Sequence, residues 1–129
     1  VIHVHSLTVP ANTTADAPKA EVLKLSACVI QRVAISFPRG CYWLVGARVL
    51  MQASQLYPTT PDQWFVAEDF TITFEDNTVI GEVPYELTLE AYNEDEKYDH
   101  TLRFYFDVVE IEPTGLLRGV PTVASGYLV

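Results

Sequence analysis

Positive charge is what this chain has least of. It carries 8 Lys and Arg against 17 Asp and Glu, a net charge of −9. Nucleic-acid binding draws most of its affinity from neutralised phosphates. The balance therefore argues against DNA or RNA as a partner and for an acidic, soluble, outward-facing protein. Long apolar runs are missing as well. Hydrophobic residues make up 49% of 129, yet no stretch approaches the roughly 18–20 residues of a spanning helix, so no membrane span is expected. The opening Val1-Ile-His-Val-His-Ser has neither the basic nor the apolar region of a signal peptide. With no Met at position 1, two expectations stay open: a removed Met or a cleaved leader.

Catalytic motifs are also absent. Ser26, Ser36, Ser54 and Ser125 have no nucleophile-elbow context, and neither cysteine has a neighbouring base, so no triad or Cys–His pair is assembled. The expectation is a protein that is not an enzyme and takes no cofactor. His3 and His5 fall on the same face of one strand, a spacing that can put two imidazoles on a metal. No Cys or carboxylate nearby in sequence completes the set, and an exposed edge-strand pair is the simpler reading. The run from Asn93 to Asp99 is rich in carboxylates. It lacks the alternating ligands and tight-turn glycine of a Ca²⁺ loop, and reads as a solvated hairpin tip. Asn12-Thr13-Thr14 is a formal glycosylation sequon, meaningful only in a eukaryotic or archaeal secretory setting.

What the chain has in abundance is a period of two. Val29, Gln31, Val33, Ile35 and Phe37 share a face, as do Trp43, Val45, Ala47, Val49 and Met51. Phe70, Ile72 and Phe74 alternate with polar residues, as do Tyr85, Leu87, Leu89 and Ala91, and then Leu102, Phe104, Phe106 and Val108. One apolar and one solvated face is the signature of antiparallel sheets. Val1–Val9 is a further strand whose apolar phase shifts between Val4 and Leu7, expected at an edge or a bulge, and Glu21–Leu25 is a short one. Turns are expected at Pro38-Arg39-Gly40, Pro58 to Pro61, Glu75-Asp76-Asn77, Gly81 to Pro84 and Asn93 to Asp99, with one helical turn near Pro61-Asp62-Gln63-Trp64. About eight strands at this spacing indicate an all-β antiparallel sandwich or jelly roll over residues 1–112. The expected core is Val33, Ile35, Phe37, Val45, Val49, Ile72, Phe74, Leu87, Leu89, Leu102, Phe104 and Phe106, with Trp43 joining it.

A hairpin from Val29–Phe37 through Pro38-Arg39-Gly40 into Tyr42–Met51 would put Cys41 near Phe37 and Cys28 near Leu50, too far apart for a bridge that needs Cα atoms within about 7 Å. Free thiols are the reading this register favours over a disulfide, and the redox compartment stays open. Tyr57, Trp64 and Phe65 cluster in a Pro-rich loop. They read either as plugs for the end of the core or as an aromatic platform for sugars.

Residues 113–129 depart from this pattern. Gly115, Gly119, Gly126 and Pro121 forbid a stable helix, and Arg118 is the one charge. A disordered tail is normally polar. Here Leu116, Leu117, Val120, Val123, Tyr127, Leu128 and Val129 are apolar and call for a partner surface, so the segment is expected to be an extended C-terminal arm at a subunit interface.

Several phrases carry a resemblance: Val9-Pro10-Ala11-Asn12-Thr13, Phe37-Pro38-Arg39-Gly40-Cys41, Tyr57-Pro58-Thr59-Thr60-Pro61-Asp62-Gln63-Trp64-Phe65, and Pro84 to Asp95. Over roughly Val9 to Glu112, excluding the arm, the chain resembles small uncharacterised β-rich proteins of phage and archaeal-virus genomes and metagenomes. That resemblance supplies no catalytic residues and implies a virion structural protein: a capsid-associated, decoration or small jelly-roll subunit. Its expected partners are copies of itself, in a homo-oligomer, or a major capsid protein, and its expected location is the virion, assembled in host cytoplasm. The competing expectation is an extracellular carbohydrate-binding or adhesin-type module using Tyr57, Trp64 and Phe65. A secreted, strand-exchanging pilus-like subunit is a third.

Overall fold

The computed structural model describes residues 1–112. The arm residues Leu116, Leu117, Val120, Val123, Tyr127, Leu128 and Val129 lie outside the described residues. Among the described residues nine strands follow one another: β1 (Ile2–Val9), β2 (Lys19–Lys24), β3 (Cys28–Phe37), β4 (Val45–Met51), β5 (Ser54–Tyr57), β6 (Phe65–Val66), β7 (Phe70–Ile80), β8 (Glu86–Asn93) and β9 (His100–Glu110). They form a front sheet ordered β1-β9-β3-β7 and a back sheet ordered β2-β8-β4-β5, with β6 also paired to β4.

The topology is that of a jelly roll. β1 pairs β9, β2 pairs β8, β3 pairs β7, and β4 pairs β5 and β6, all antiparallel. The chain thus forms one long antiparallel ribbon. Rolling that ribbon brings β3 onto β9 and β4 onto β8 and faces the two sheets together. Each strand turns its alternate apolar side chains inward. Val33, Ile35, Phe37, Val45, Val49, Leu87, Leu89, Leu102, Phe104 and Phe106 are buried as the pattern predicts, while Ile72 and Phe74 on edge strand β7 are partly buried against the same cluster.

Five expectations are corrected. β3 and β4 are not a hairpin: they lie in opposite sheets, and residues 38–44 cross between them. Cys28 and Cys41 are nevertheless free and buried; burial, aided by Glu68 and Asp95, pushes the Cys41 thiol up to about 11. Glu75-Asp76-Asn77 is not a turn, since β7 runs through it, absorbing the irregularity where the register with β3 shifts between Ile30 and Arg32. The same irregularity changes the phase of β3, so that Ile30 is fully buried and Val29 is not. Trp43 is not core: it is 64% exposed, with φ 59 in the left-handed region after Tyr42 at φ 46, so β4 begins only at Val45. Finally, the Pro61–Trp64 segment is a turn with Asp62 at φ 63 and forms no helix.

Both flanks of the sandwich are tied across the sheets. On one flank His5 Nε2 of β1 lies 2.6 Å from Glu21 Oε1 of β2. On the other, the Tyr57 hydroxyl of β5 donates to Asp76 Oδ2 of β7, which also accepts from Thr78 Oγ1 at 2.6 Å. The Thr78 and Tyr57 hydrogen bonds hold the Asp76 carboxyl below its usual range, and burial raises the Tyr57 hydroxyl.

Candidate functional site

Strand direction collects residues 10–18, 38–44, 67–69 and 94–99 at one end of the sandwich, the head, and residues 25–27, 52–53 and 81–85 at the other, the foot. The head is held by a dense set of polar contacts around Asn93, which is wholly buried. Asn93 Nδ2 donates to the carbonyls of Val9 at 3.1 Å and Tyr98 at 2.9 Å, and Oδ1 accepts from Asp95 N at 2.9 Å. Its backbone exchanges hydrogen bonds with Thr13 at 2.8 and 2.9 Å. A buried amide is tolerated only when its donors and acceptor are satisfied, and here one side chain joins three stretches of chain.

The carboxylate-rich run is therefore neither a hairpin tip nor wholly solvated: it crosses from the back sheet to the front sheet. Asp95 Oδ1 accepts from Lys97 N at 2.9 Å and Tyr98 N at 3.2 Å, and Oδ2 lies 2.9 Å from His100 Nε2. The Lys97 amide first, then His100, hold the Asp95 carboxyl below its usual range. Across the head Glu68 plays the same part for residues 38–44, accepting from Gly40 N at 3.1 Å and Tyr42 N at 2.7 Å. Chiefly through the Tyr42 amide, its pKa too is lowered. Leu44 O accepts from Glu94 N at 2.9 Å, which joins the two crossing loops.

This scaffold presents aromatic rings to solvent. Tyr42, Trp43, Phe70 and Tyr98 are all more than half exposed. A non-glycine residue at positive φ costs free energy and persists only where its surroundings hold it there; Tyr42 and Trp43 are consecutive examples, and Glu68 holds the Tyr42 amide. Large rings held outward on a tied loop can stack on a planar ligand or fill a partner's pocket.

The residues first considered as a platform sit elsewhere. Tyr57 is 5% exposed and packs edge-on against Phe74, with ring centroids 5.0 Å apart. Phe65 lies 5.7 Å from the same ring. Trp64 is on the outer face of the back sheet, 4.9 Å from Tyr92, with the Arg48 guanidinium 4.1 Å over its ring. Arg48 also pairs with Glu90 at 2.7 Å. The exposed set left a sequence signal: Tyr42-Trp43-Leu44-Val45 puts four apolar residues in a row where alternation should continue.

His3 and His5 both face inward, and Glu21 reaches His5 from another strand. Among the described residues no group of three or more His, Cys, Asp or Glu is placed to hold a metal ion. Likewise no helix among them is long and apolar enough to cross a membrane. No protein-family model, curated protein or solved structure matches this chain.

Proposed function

We propose that this chain is a non-enzymatic structural subunit of a virus particle, assembling with copies of itself or with a major capsid protein through its sheet edges and its arm. The observation that carries the reading is the strand order β1-β9-β3-β7 over β2-β8-β4-β5. That order is the jelly roll, used by capsid domains and by lectin domains. The fold is common to both uses. Two features of this chain favour assembly: front-sheet edges that carry no proline, and an apolar, nearly uncharged arm. An extended segment that adds to a neighbour's sheet gains main-chain hydrogen bonds, a natural way to lock a shell.

One observation favours the sugar-binding reading, now relocated to the head: Tyr42, Trp43 and Tyr98 stand exposed on loops. The two readings separate by light scattering and glycan retention. A structural subunit elutes as an oligomer or with particles and passes a glycan array unbound. A monomer retained on glycans, with retention lost in Trp43→Ala, would replace the first reading by the second.

A further inference from the structure

The arm needs a receiving surface, and the sandwich has four strand edges to offer. β2 carries Lys19 and Lys24, and β5 ends in Pro58 after four residues; charge, proline and shortness are the usual guards of an edge. Among the described residues the outer edge of β1 pairs with no strand either, but its inward flank is polar, lined by His3, His5 and Glu21. β7 differs from all three. From Phe70 to Glu75 it pairs residue for residue with Phe37 to Arg32 of β3, and among the described residues its other edge pairs with no strand. This stretch contains no Pro, Lys or Arg, and its one charge is Glu75. Directly beside it runs a groove of about 380 Å³ lined chiefly by Tyr57, Pro58, Phe65, Ile72 and Phe74. An open backbone edge with an apolar groove along it is what β-augmentation uses: main-chain bonds for affinity, pockets for alternate side chains.

The chain holds a segment of matching chemistry. Residues 122–129, Thr-Val-Ala-Ser-Gly-Tyr-Leu-Val, carry no charge, and no proline after Pro121, so every amide can donate. Val123, Tyr127 and Val129 share one parity and would turn together into the groove. Residues 113–121, if extended, would span up to about 30 Å. An eight-residue strand covers about 26 Å, enough for the whole Phe70–Glu75 edge.

We propose that the Phe70–Glu75 edge of β7 and its groove receive residues 122–129 of a second copy as an added strand. The proposal rests on the assembly reading, which sets the source as a neighbour's arm. Each copy then gives one arm and accepts one, either by exchange within a pair or head to tail in rings and arrays.

The test uses full chains carrying one new thiol each: Thr73→Cys on the solvent face of β7 in one, Ala124→Cys in the other. Cys28 and Cys41 stay buried, and the unsubstituted chain is the control. Co-expressed and treated with a short bis-maleimide, the two should give a cross-linked dimer that neither gives alone. The dimer should vanish when the arm donor also carries Val123→Asp and Tyr127→Asp, changes outside the described domain, or when the acceptor carries Ile72→Lys with its circular dichroism unchanged. No cross-link overturns the proposal. So does a chain bearing both thiols that cross-links only within itself at high dilution, because the groove then holds its own arm. A cross-linked dimer from a protein that never co-sediments with virus particles upholds this contact and rejects the virion reading.

Discussion

Gly46→Ala is the sharpest probe of the outer face of the back sheet. A Cβ built at Gly46 would lie 2.1 Å from Tyr92 Cε2 and 2.5 Å from Cζ, well inside van der Waals contact. The Tyr92 ring cannot swing aside freely: it is 9% exposed and meets the Trp64 ring edge-on at 4.9 Å. Trp64 in turn lies under Arg48, which is held by Glu90. Overpacking costs about 1–3 kcal/mol, and spoiling an aromatic pair costs about 0.5–1.5 kcal/mol more. Replacing a glycine within a strand by alanine returns up to about 0.5–1 kcal/mol. The expected net loss is about 1–3 kcal/mol, which at a urea m-value of about 1–3 kcal/mol/M lowers the midpoint by roughly 1 M. The decisive assay is a double-mutant cycle with Tyr92→Ala. That change alone is destabilising, but it empties the space above Gly46. In its background Gly46→Ala should become neutral or stabilising, giving a coupling of roughly 1.5–3 kcal/mol, as contacting residues show. Equal costs in both backgrounds would mean that the ring does not depend on the missing side chain, and the reasoning fails.

Asn93→Ala should lower stability by about 1–3 kcal/mol, because it removes buried hydrogen bonds to the Val9 and Tyr98 carbonyls and from the Asp95 amide; urea titration with an unchanged midpoint would contradict the account of the head. His3→Leu should be neutral or mildly stabilising, since among the described residues the buried His3 Nε2 has no hydrogen-bond partner; a clear loss in the same assay would show that the ring has a role. Asp95 and Glu68 have folded pKa values below their unfolded ones, so the stability they lend is fully present above the ordinary carboxylate range and is lost as pH falls through and below it. Asp95→Asn and Glu68→Gln should therefore flatten the acid limb of a Tm-against-pH curve, and a parallel limb would refute this. Both thiols should resist Ellman's reagent in the native protein and react once it is unfolded; fast native reaction at Cys41 would contradict its burial.

The period of two made the inward-facing residues legible, because it is set by the strand backbone alone. It carries no information about which strand lies beside which. A seven-residue connection after Phe37 serves a hairpin and a sheet-to-sheet crossing equally well, and only the global roll of the ribbon selects the second. Local polarity misled at Glu75-Asp76-Asn77, where Tyr57, distant in sequence, supplies the hydrogen bond that lets Asp76 sit inside a strand. At Trp43 the error was one of phase: two left-handed residues precede β4, and alternation counted through them points the ring the wrong way. The Tyr57–Asp76 tie, the His5–Glu21 tie and the Asn93 junction all join residues brought together by tertiary structure, so no local pattern announces them.

Among the described residues the first strand of this fold pairs with the last alone. Ile2 pairs with Asp107, and at synthesis rates of about 5–20 residues per second β1 waits on the order of 5–20 s for β9 to be made. During that time Ile2, Val4 and the Leu7–Val9 core face have no sheet to join. β3 waits as well, for β7 on one side and β9 on the other. Long-range pairing of this kind slows folding and leaves strand edges open to other chains. Newly made copies crowded on one messenger would therefore meet one another with their first strands bare, and the same register that closes the finished ribbon makes a neighbour's β9 an equally good match for a waiting β1.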